Sequence, residues 1–381
     1  MVRLGDICCK ITDGSHNPPN GVPYSEFMML SSKNIYDDRI TFDEPRYLSK
    51  QDFEIENKRT QIKAGDILLT IVGTVGRVAV VPENIESICL QRSVAVIKPK
   101  AEIVLPRFLM YQIQSMKSHL EKEAKGVAQK GIYLKQVENL QIKLFEYTTQ
   151  KEIVSRLDKI SGLISIREQQ LSKLDELVKS RFIELFGATS ADKCSKRIKD
   201  YAEVLGGYAF KSDLFCTDAV PVIRISNINN GCVELDYDIC FDELFWKQNK
   251  KFRAEQNDIL MAMSGATTGK AGIYREDMPA LINQRVACIR AKDGLAYPTF
   301  LFVATQLEWM YDLIQETSAG CAQPNISGKQ IENMPVPDAT YEKQQQFAAF
   351  VEQVDKSKLA IQKSLEKLET LKKALMQKYF G

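Results

Sequence analysis

Histidine is nearly missing: the chain holds two, His16 and His119, in 381 residues. Its nine cysteines, Cys8, Cys9, Cys89, Cys194, Cys216, Cys232, Cys240, Cys288 and Cys321, include no Cys-x-x-Cys pair. Structural zinc sites need closely spaced ligand pairs, so metal-site spacing is absent and no metal is expected. An odd, scattered set of thiols reads as buried, reduced cysteines of a cytosolic protein rather than a secreted disulfide framework. Long apolar runs are lacking as well. The most apolar stretch, Ile67 to Val81, is broken by Thr70, Gly73, Thr74, Gly76 and Arg77 and is too short to span a bilayer. The opening "MVRLGDICCK" has no apolar signal core. A cytoplasmic location with no membrane partner is therefore expected. Nor does one sign of charge dominate: 51 Lys and Arg oppose 49 Asp and Glu, a formal net charge of +2. Contact with nucleic acid must then come from local basic patches rather than bulk charge.

A phosphate-binding loop is also lacking, although "MAMSGATTGKAGIY" (from Met261) imitates one. A P-loop has four residues between its glycines, then Lys, then a Ser or Thr that holds magnesium. Here three residues separate Gly265 from Gly269, and Ala271 follows Lys270. No nucleotide or other cofactor is expected.

What the chain does contain is a repeat, with a period of about half its length. "AGDILLTIVGTVGRVAVVPENIESICLQRSVAVIKPK" (from Ala64) matches "QNDILMAMSGATTGKAGIYREDMPALINQRVACIRAK" (from Gln256). Asp66-Ile67-Leu68 pairs with Asp258-Ile259-Leu260, Gly73 and Gly76 with Gly265 and Gly269, and Gln91-Arg92 with Gln284-Arg285. Further on, "KGVAQKGIYLKQVEN" (from Lys125) matches "AGCAQPNISGKQIEN" (from Ala319), and the copies then run without a gap to Phe186-Gly187 and Phe380-Gly381. Both glycine loops share two glycines, a basic residue and an apolar run. They read either as hairpin turns alone, or as turns that also bring Arg77 or Lys270 close to a ligand.

Each half has two parts. The runs "RVAVVP", "SVAVIKP", "AVPVIRISNI" and "VACIRA" are short and β-branched and read as strands. "LPRFLMYQIQSMKSHLEKEA" and "YPTFLFVATQLEWMYDLIQE" have helical spacing. The texture then changes. From Thr149 to Phe186 there is no proline and one glycine, Gly162. Thr149 with Glu152 suggests a capping box and Gly187 a C-terminal stop. Ile153, Leu157, Ile160, Ile164, Leu171, Leu174, Val178 and Leu185 recur in steps of four and three, with Arg167 and Arg181 in two slots, which is a coiled-coil seam. Phe347, Val351, Val354, Ile361, Leu365, Leu368, Leu375 and Tyr379 repeat it, interrupted by Lys358 and Lys372. Each helix should be about 55 Å long. Such stripes either pack on each other or bury against their own globules.

The expected architecture is α+β: a globule over 1–148, a helix over 149–187, a globule over 188–340 and a helix over 341–381. If the helices pack as an antiparallel coiled coil, the globules lie at opposite ends with pseudo-two-fold symmetry. That geometry suits two DNA half-sites at fixed spacing.

This order resembles the specificity (S) subunit of type I restriction-modification systems. The resemblance rests on "ITDGSHNPP" near the start, the paired "GDIL…G…G…QR" and "NDIL…G…G…NQR" blocks, and "GCAQPNISGKQIENMPVP" before the last helix. It implies two target-recognition domains, each reading half of a bipartite, asymmetric double-stranded DNA sequence. It implies helices that dock two methyltransferase (modification) subunits, with restriction/translocase subunits joining that core, and a chain that is not itself catalytic. The first copy departs from the pattern: "GVAQKGIYLKQVENLQIKLF" stands where the second has Pro324, Asn325 and Pro335.

"HNPPN" at His16 to Asn20 echoes the Asn-Pro-Pro-aromatic motif of adenine methyltransferases, in which the aromatic stacks on the flipped base. Asn20 occupies the aromatic position, and no apolar strand or glycine-rich cofactor loop leads into it. The stretch reads as a proline-rich loop. Candidate DNA contacts are donors on loops and turns: Arg77 and Lys270 beside the glycine turns, Arg92 and Arg285, Gln129 and Gln323, and the basic clusters Lys58-Arg59 and Lys250-Lys251-Arg253. Residues that differ between the halves, such as Thr267, Thr268, Tyr208 and Lys211, are candidates for sequence choice. Phe182, Leu185, Phe186, Leu375, Tyr379 and Phe380 at the helix ends are either partner-docking surface or closed by internal packing. The competing reading is a coiled-coil scaffold whose duplicated globules bind proteins or glycans. A fused enzyme is disfavoured, since no methyltransferase or nuclease region stands out.

Overall fold

The computed structural model describes residues 1–124, 131–229, 231–318 and 324–381. Gln129, Gln323 and Cys321 lie outside the described residues. The chain forms two compact units, Met1–Ile166 with Ser364–Gly381, and Arg167–Lys363. Both are mixed helix and sheet.

In the first unit a four-stranded antiparallel sheet has the order Cys8–Asp13, Val94–Pro99, Ile67–Thr70, Val78–Val80. Side chains alternate faces along a strand, and both faces are covered. Ile67, Leu69, Ala95 and Ile97 pack with Phe108 and Leu109 of helix Pro106–Ser115. Leu68, Val94 and Val96 pack with Leu30, Ile88 and Leu90. Burial on two faces is why "ILLT" is apolar without alternation. Beside it, Met28–Leu30 pairs antiparallel with Arg46–Tyr47 and parallel with Ile88–Leu90.

The second unit repeats this plan. Ala202–Gly206, Val286–Ala291, Ile259–Ala262 and Ala271–Ile273 stand in the same order, extended by Cys232–Val233 and Ile228–Asn229. The register matches: Val94 faces Thr70 as Val286 faces Ala262, and Leu69 faces Val78 as Met261 faces Ala271.

The repeated aspartates have a structural task. Asp66 accepts from the Lys63 N–H at 2.8 Å and pairs with Lys98 on the neighbouring strand. Asp258 accepts from the Glu255 N–H at 2.7 Å and pairs with Arg290. Each carboxylate closes the turn before its strand and ties two strands together, so a buried charge is both paired and hydrogen-bonded.

The long helices are Tyr147–Phe186 and Tyr341–Phe380, 40 residues each. The expected capping box does not form, because helical bonding has already begun: the Gln150 N–H donates to the Glu146 carbonyl at 3.0 Å. Thr149 therefore lies inside the first turn. Gly187 ends the helix with φ +67° and its N–H on the Ile183 carbonyl at 2.8 Å, a left-handed stop that favours glycine.

Each helix is clamped to its globule by a buried glutamine that the seam pattern does not reveal. Gln150 accepts from the Leu105 N–H at 2.9 Å and donates to the Ile103 and Phe145 carbonyls. Gln344 does the same with Tyr297, Leu295 and Ala339. The first turns of each stripe pack on the globule as well as on the other helix: Ile153 and Leu157 join the core around Phe108, and Phe347 and Val351 join that around Phe300. Within the second unit the helices also meet. Phe182 and Phe347 lie 5.3 Å apart, and Lys358 Nζ reaches Asp175 at 2.5 Å, so the two segments run antiparallel. The apolar helix ends are closed internally. Phe182, Leu185 and Phe186 belong to the second unit's core, while Leu375, Tyr379 and Phe380 pack on that of the first.

Two expectations need correction. Cys8, Cys89, Cys194, Cys240 and Cys288 are buried, but Cys9, Cys216 and Cys232 are exposed. Cys9 follows Cys8 on an edge strand, and alternation turns it outward. Each apolar stretch expected as one helix is two: Pro106–Ser115 with Lys117–Glu123, and Pro298–Thr305 with Glu308–Ser318.

Candidate nucleic-acid interface

The glycine loops are hairpin turns. Gly73, Gly76, Gly265 and Gly269 have φ of +82°, +92°, +83° and +86°, in the region that favours glycine. The turn from Ile259–Ala262 to Ala271–Ile273 is closed by the Ala262 N–H on the Lys270 carbonyl at 2.9 Å. A Cβ at Gly269 would lie 2.8 Å from Ile314 Cγ2, so the loop is pressed onto helix Glu308–Ser318. Four amides of the loop are engaged, Gly265 on Pro324, Thr268 on Gly265, Gly269 on Ala262 and Lys270 on Thr267, and the Lys270 side chain is exposed.

In the second unit several segments meet at this end of the sheet. The Met263 N–H donates to Arg285 at 2.9 Å, Gly265 to Pro324 at 3.1 Å, and Gln284 to Tyr208 at 2.9 Å. The Tyr208 ring lies 5.1 Å from Phe252, which follows Lys250 and Lys251. The corresponding end of the first sheet gathers Arg77, whose carbonyl accepts from Thr70 at 2.9 Å, and Arg92, whose N–H donates to Ser15 at 2.8 Å.

The candidates divide, and Lys58 and Arg59 stand in the last turn of helix Lys50–Thr60 rather than on a loop. Lys58, Arg92, Lys250, Lys270 and Arg285 are exposed. None of their side chains finds a hydrogen-bond acceptor or a carboxylate among the described residues. Lys251 is also exposed, with Nζ 4.8 Å from the Phe252 ring centre.

Others are already engaged. Arg59 pairs with Asp13 and donates to Thr12 Oγ1 at 3.2 Å; His16 Nε2 contacts the other Asp13 oxygen at 2.9 Å. That contact anchors the proline-rich loop at one end, and Arg46 Nη1 holds the Pro19 carbonyl at 2.8 Å. Arg253 lies over the Trp246 ring at 4.1 Å and donates to the Trp246 and Lys247 carbonyls, both at 2.7 Å. It therefore caps the C-terminal end of helix Glu243–Gln248. Thr268 is 1% exposed, its hydroxyl bonded to the Gly265 and Pro324 carbonyls. The Thr267 Oγ1 atom is buried, with no partner among the described residues.

Sequence reasoning missed two groups. One is the hairpin Ile35–Tyr36/Arg39–Ile40, whose Tyr36 ring lies against Arg39 and Arg77. Its signal was present: two short pairs around Asp37-Asp38. The other is the aromatic set Phe210, Phe245 and Phe252 around Tyr208, which alone of the four was a candidate from the sequence; it is assembled from three segments and invisible as a motif.

Comparison with known proteins bears on what such loop ends are for. Residues 1–176 and 192–373 each match the family model described as type I restriction modification DNA specificity domain. The type I restriction enzyme MjaVIII specificity subunit of Methanocaldococcus jannaschii is 24% identical over 343 residues, covering 85% of this chain and 80% of that protein. The EcoBI specificity subunit of Escherichia coli is 31% identical over 159 residues, covering 40% and 33%. In fold, the chain is similar to the S subunit of a type I restriction-modification system from M. genitalium, with a TM-score of 0.52 at 14% identity over 100% of this chain and 95% of that one. It is also similar to a chain from a structure concerned with assembly and conformational transition of the type I R-M system, with a TM-score of 0.53 at 18% identity over 100% and 96%. No described helix is long and apolar enough to cross a membrane. With its two halves matched separately, over nearly all of its length, this chain belongs to the type I restriction-modification DNA specificity family.

Proposed function

We propose that this chain is the DNA-recognition subunit of a type I restriction-modification complex, and that each globule reads one half of a bipartite, asymmetric site. The observation that carries this is the double match to the specificity domain, on two sheets of one order and register whose loop ends carry different side chains. Where the first has Tyr36, Arg39 and Arg77, the second has Asn229, Cys232 and Lys270. A shared frame with different readers suits two unlike half-sites.

Lys58, Arg92, Lys250, Lys251, Lys270 and Arg285 supply phosphate contacts, which set register and orientation; Arg77 belongs to base readout. Arg59, Arg253, Thr267 and Thr268 support the loops. The chain performs no chemical step itself. Two methyltransferase subunits dock on it through the long helices and restriction subunits join them, with the assembly working in the cytoplasm.

The test is a methylome. The chain is co-expressed with the methyltransferase encoded nearest its gene in a methylation-free host, and modified adenines are mapped by long-read sequencing. A two-part motif with a fixed gap, absent without this chain, is expected. Soluble, copurifying proteins that leave no motif would overturn the reading.

A further inference from the structure

Tyr36 stands beside two guanidinium groups. Arg39 Cζ lies 5.1 Å from its ring centre and Arg77 Cζ 4.9 Å. The three residues come from two segments. Tyr36 and Arg39 face each other across a two-residue hairpin, whose Asp38 has φ +63°. Arg77 precedes strand Val78–Val80. The Asp38 N–H donates to the Val78 carbonyl at 2.8 Å, so the hairpin is fixed to the strand that carries Arg77.

The charge balance is unusual. The hairpin loop holds two carboxylates, yet neither pairs with these arginines. Asp37 takes Lys117 at 3.2 Å. Asp38 takes both terminal nitrogens of Arg107, at 2.9 and 2.8 Å, and Arg107 also binds Asp158 of the long helix. Among the described residues, Arg39 and Arg77 meet no carboxylate, and their guanidinium groups donate no hydrogen bond. Arg39 is exposed. Arg77 borders an open cleft of about 380 Å³ lined by Gly73, Thr74, Val75, Lys117 and Glu121. Two guanidinium groups thus lie over one ring with their donors left free among the described residues, while both acids of the hairpin are engaged elsewhere.

Arginine offers a rigid fork matched to the O6 and N7 acceptors of guanine in the major groove, where a lysine is only a point charge. Stacking removes rotamer freedom that binding would otherwise have to remove. We infer that the Tyr36, Arg39 and Arg77 stack is the base-reading element of the first globule, and that it reads guanine in one half of the DNA site. The second globule has Asn229, Cys232 and Lys270 at these positions, so its half-site is read by other groups. The inference rests on the DNA-recognition reading above.

The test repeats the methylome with Arg39→Lys and Arg77→Lys, singly and together, in the complex with its methyltransferase. Each variant keeps the positive charge and loses the fork. The expected result is relaxation at one or two guanines of a single half-site, with discrimination there falling about ten- to a hundred-fold and the other half-site unchanged. Tyr36→Leu should relax the same positions. Retention of the unaltered half-site shows that the variants fold. Three results would overturn the inference: an unaltered motif, a uniform fall in methylation with no change of motif, or relaxation at bases other than guanine. If a variant is insoluble, Tyr36→Phe, which keeps the stack, must preserve the motif, and relaxation in it would count against the stack. A wild-type chain that yields no motif at all would instead refute the DNA-recognition reading itself.

Discussion

Arg290 grips Asp258 with two parallel hydrogen bonds, Nε to Oδ1 at 2.9 Å and Nη2 to Oδ2 at 2.7 Å. The hydrogen bonds to Asp258 hold the Arg290 guanidinium above its usual pKa against the opposing effect of burial. Asp258 is 2% exposed. Arg290→Leu leaves that carboxylate buried and unpaired and should cost about 3–5 kcal/mol. Adding Asp258→Asn removes the charge and should recover part of the loss. Urea unfolding of the full chain measures both, and a double variant no more stable than the single would show that the penalty lies elsewhere.

Gln344 tests the attachment of the second long helix. Its side chain satisfies one N–H and two carbonyls. Gln344→Ala leaves these groups short of partners in a buried place and opens a void, for a loss of about 2–4 kcal/mol. Hydrogen exchange should rise first at the Tyr297 amide. Unchanged protection there would exclude the clamp.

Lys270 and Arg253 should separate in their effects. Lys270→Ala is expected to leave the melting temperature unchanged, to weaken DNA binding by the assembled complex, and to flatten the salt dependence by about one counterion. Arg253→Ala removes a helix cap stacked on Trp246 and should lower stability by about 1–2 kcal/mol with little change in salt slope. An unaltered slope for Lys270→Ala would remove that residue from the phosphate contacts.

The thiols give a chemical map of burial. Burial pushes the Cys8 and Cys89 thiols up to about 12, so near neutral pH they carry almost no thiolate, the reactive form. A thiol reagent should label exposed Cys9, Cys216 and Cys232 in the folded chain, and Cys8 and Cys89 only after unfolding. Peptide mass spectrometry reads the order. Early labelling of Cys89 would place it outside the core that it shares with Met29 and Leu48.

Much of the fold is local and could be read directly. The duplicated blocks, the β-branched runs and the step of four and three in each helix are patterns between near neighbours, which backbone geometry turns into elements. Their limits show where longer-range bonds take over. Thr149 and Glu152 carry a capping signature, yet the helix starts at Tyr147, once Gln150 has partners at Ile103 and Leu105.

The site was less legible for the same reason. Arg59 and Lys58 are adjacent in sequence, but Arg59 finds Asp13, 46 residues away, and Lys58 is left to solvent. Thr268 looks like a loop hydroxyl and is buried by Pro324. Arg77 was visible beside its glycine turn, while its stacking partner Tyr36, 41 positions earlier, was not. The sequence by itself determined the duplication, the two long helices, the glycine turns and the family. Only the tertiary structure decided which of the candidate cations are held by partners inside the chain, because a charge is committed by the groups that folding brings within hydrogen-bond reach, and those groups come from distant parts of the chain.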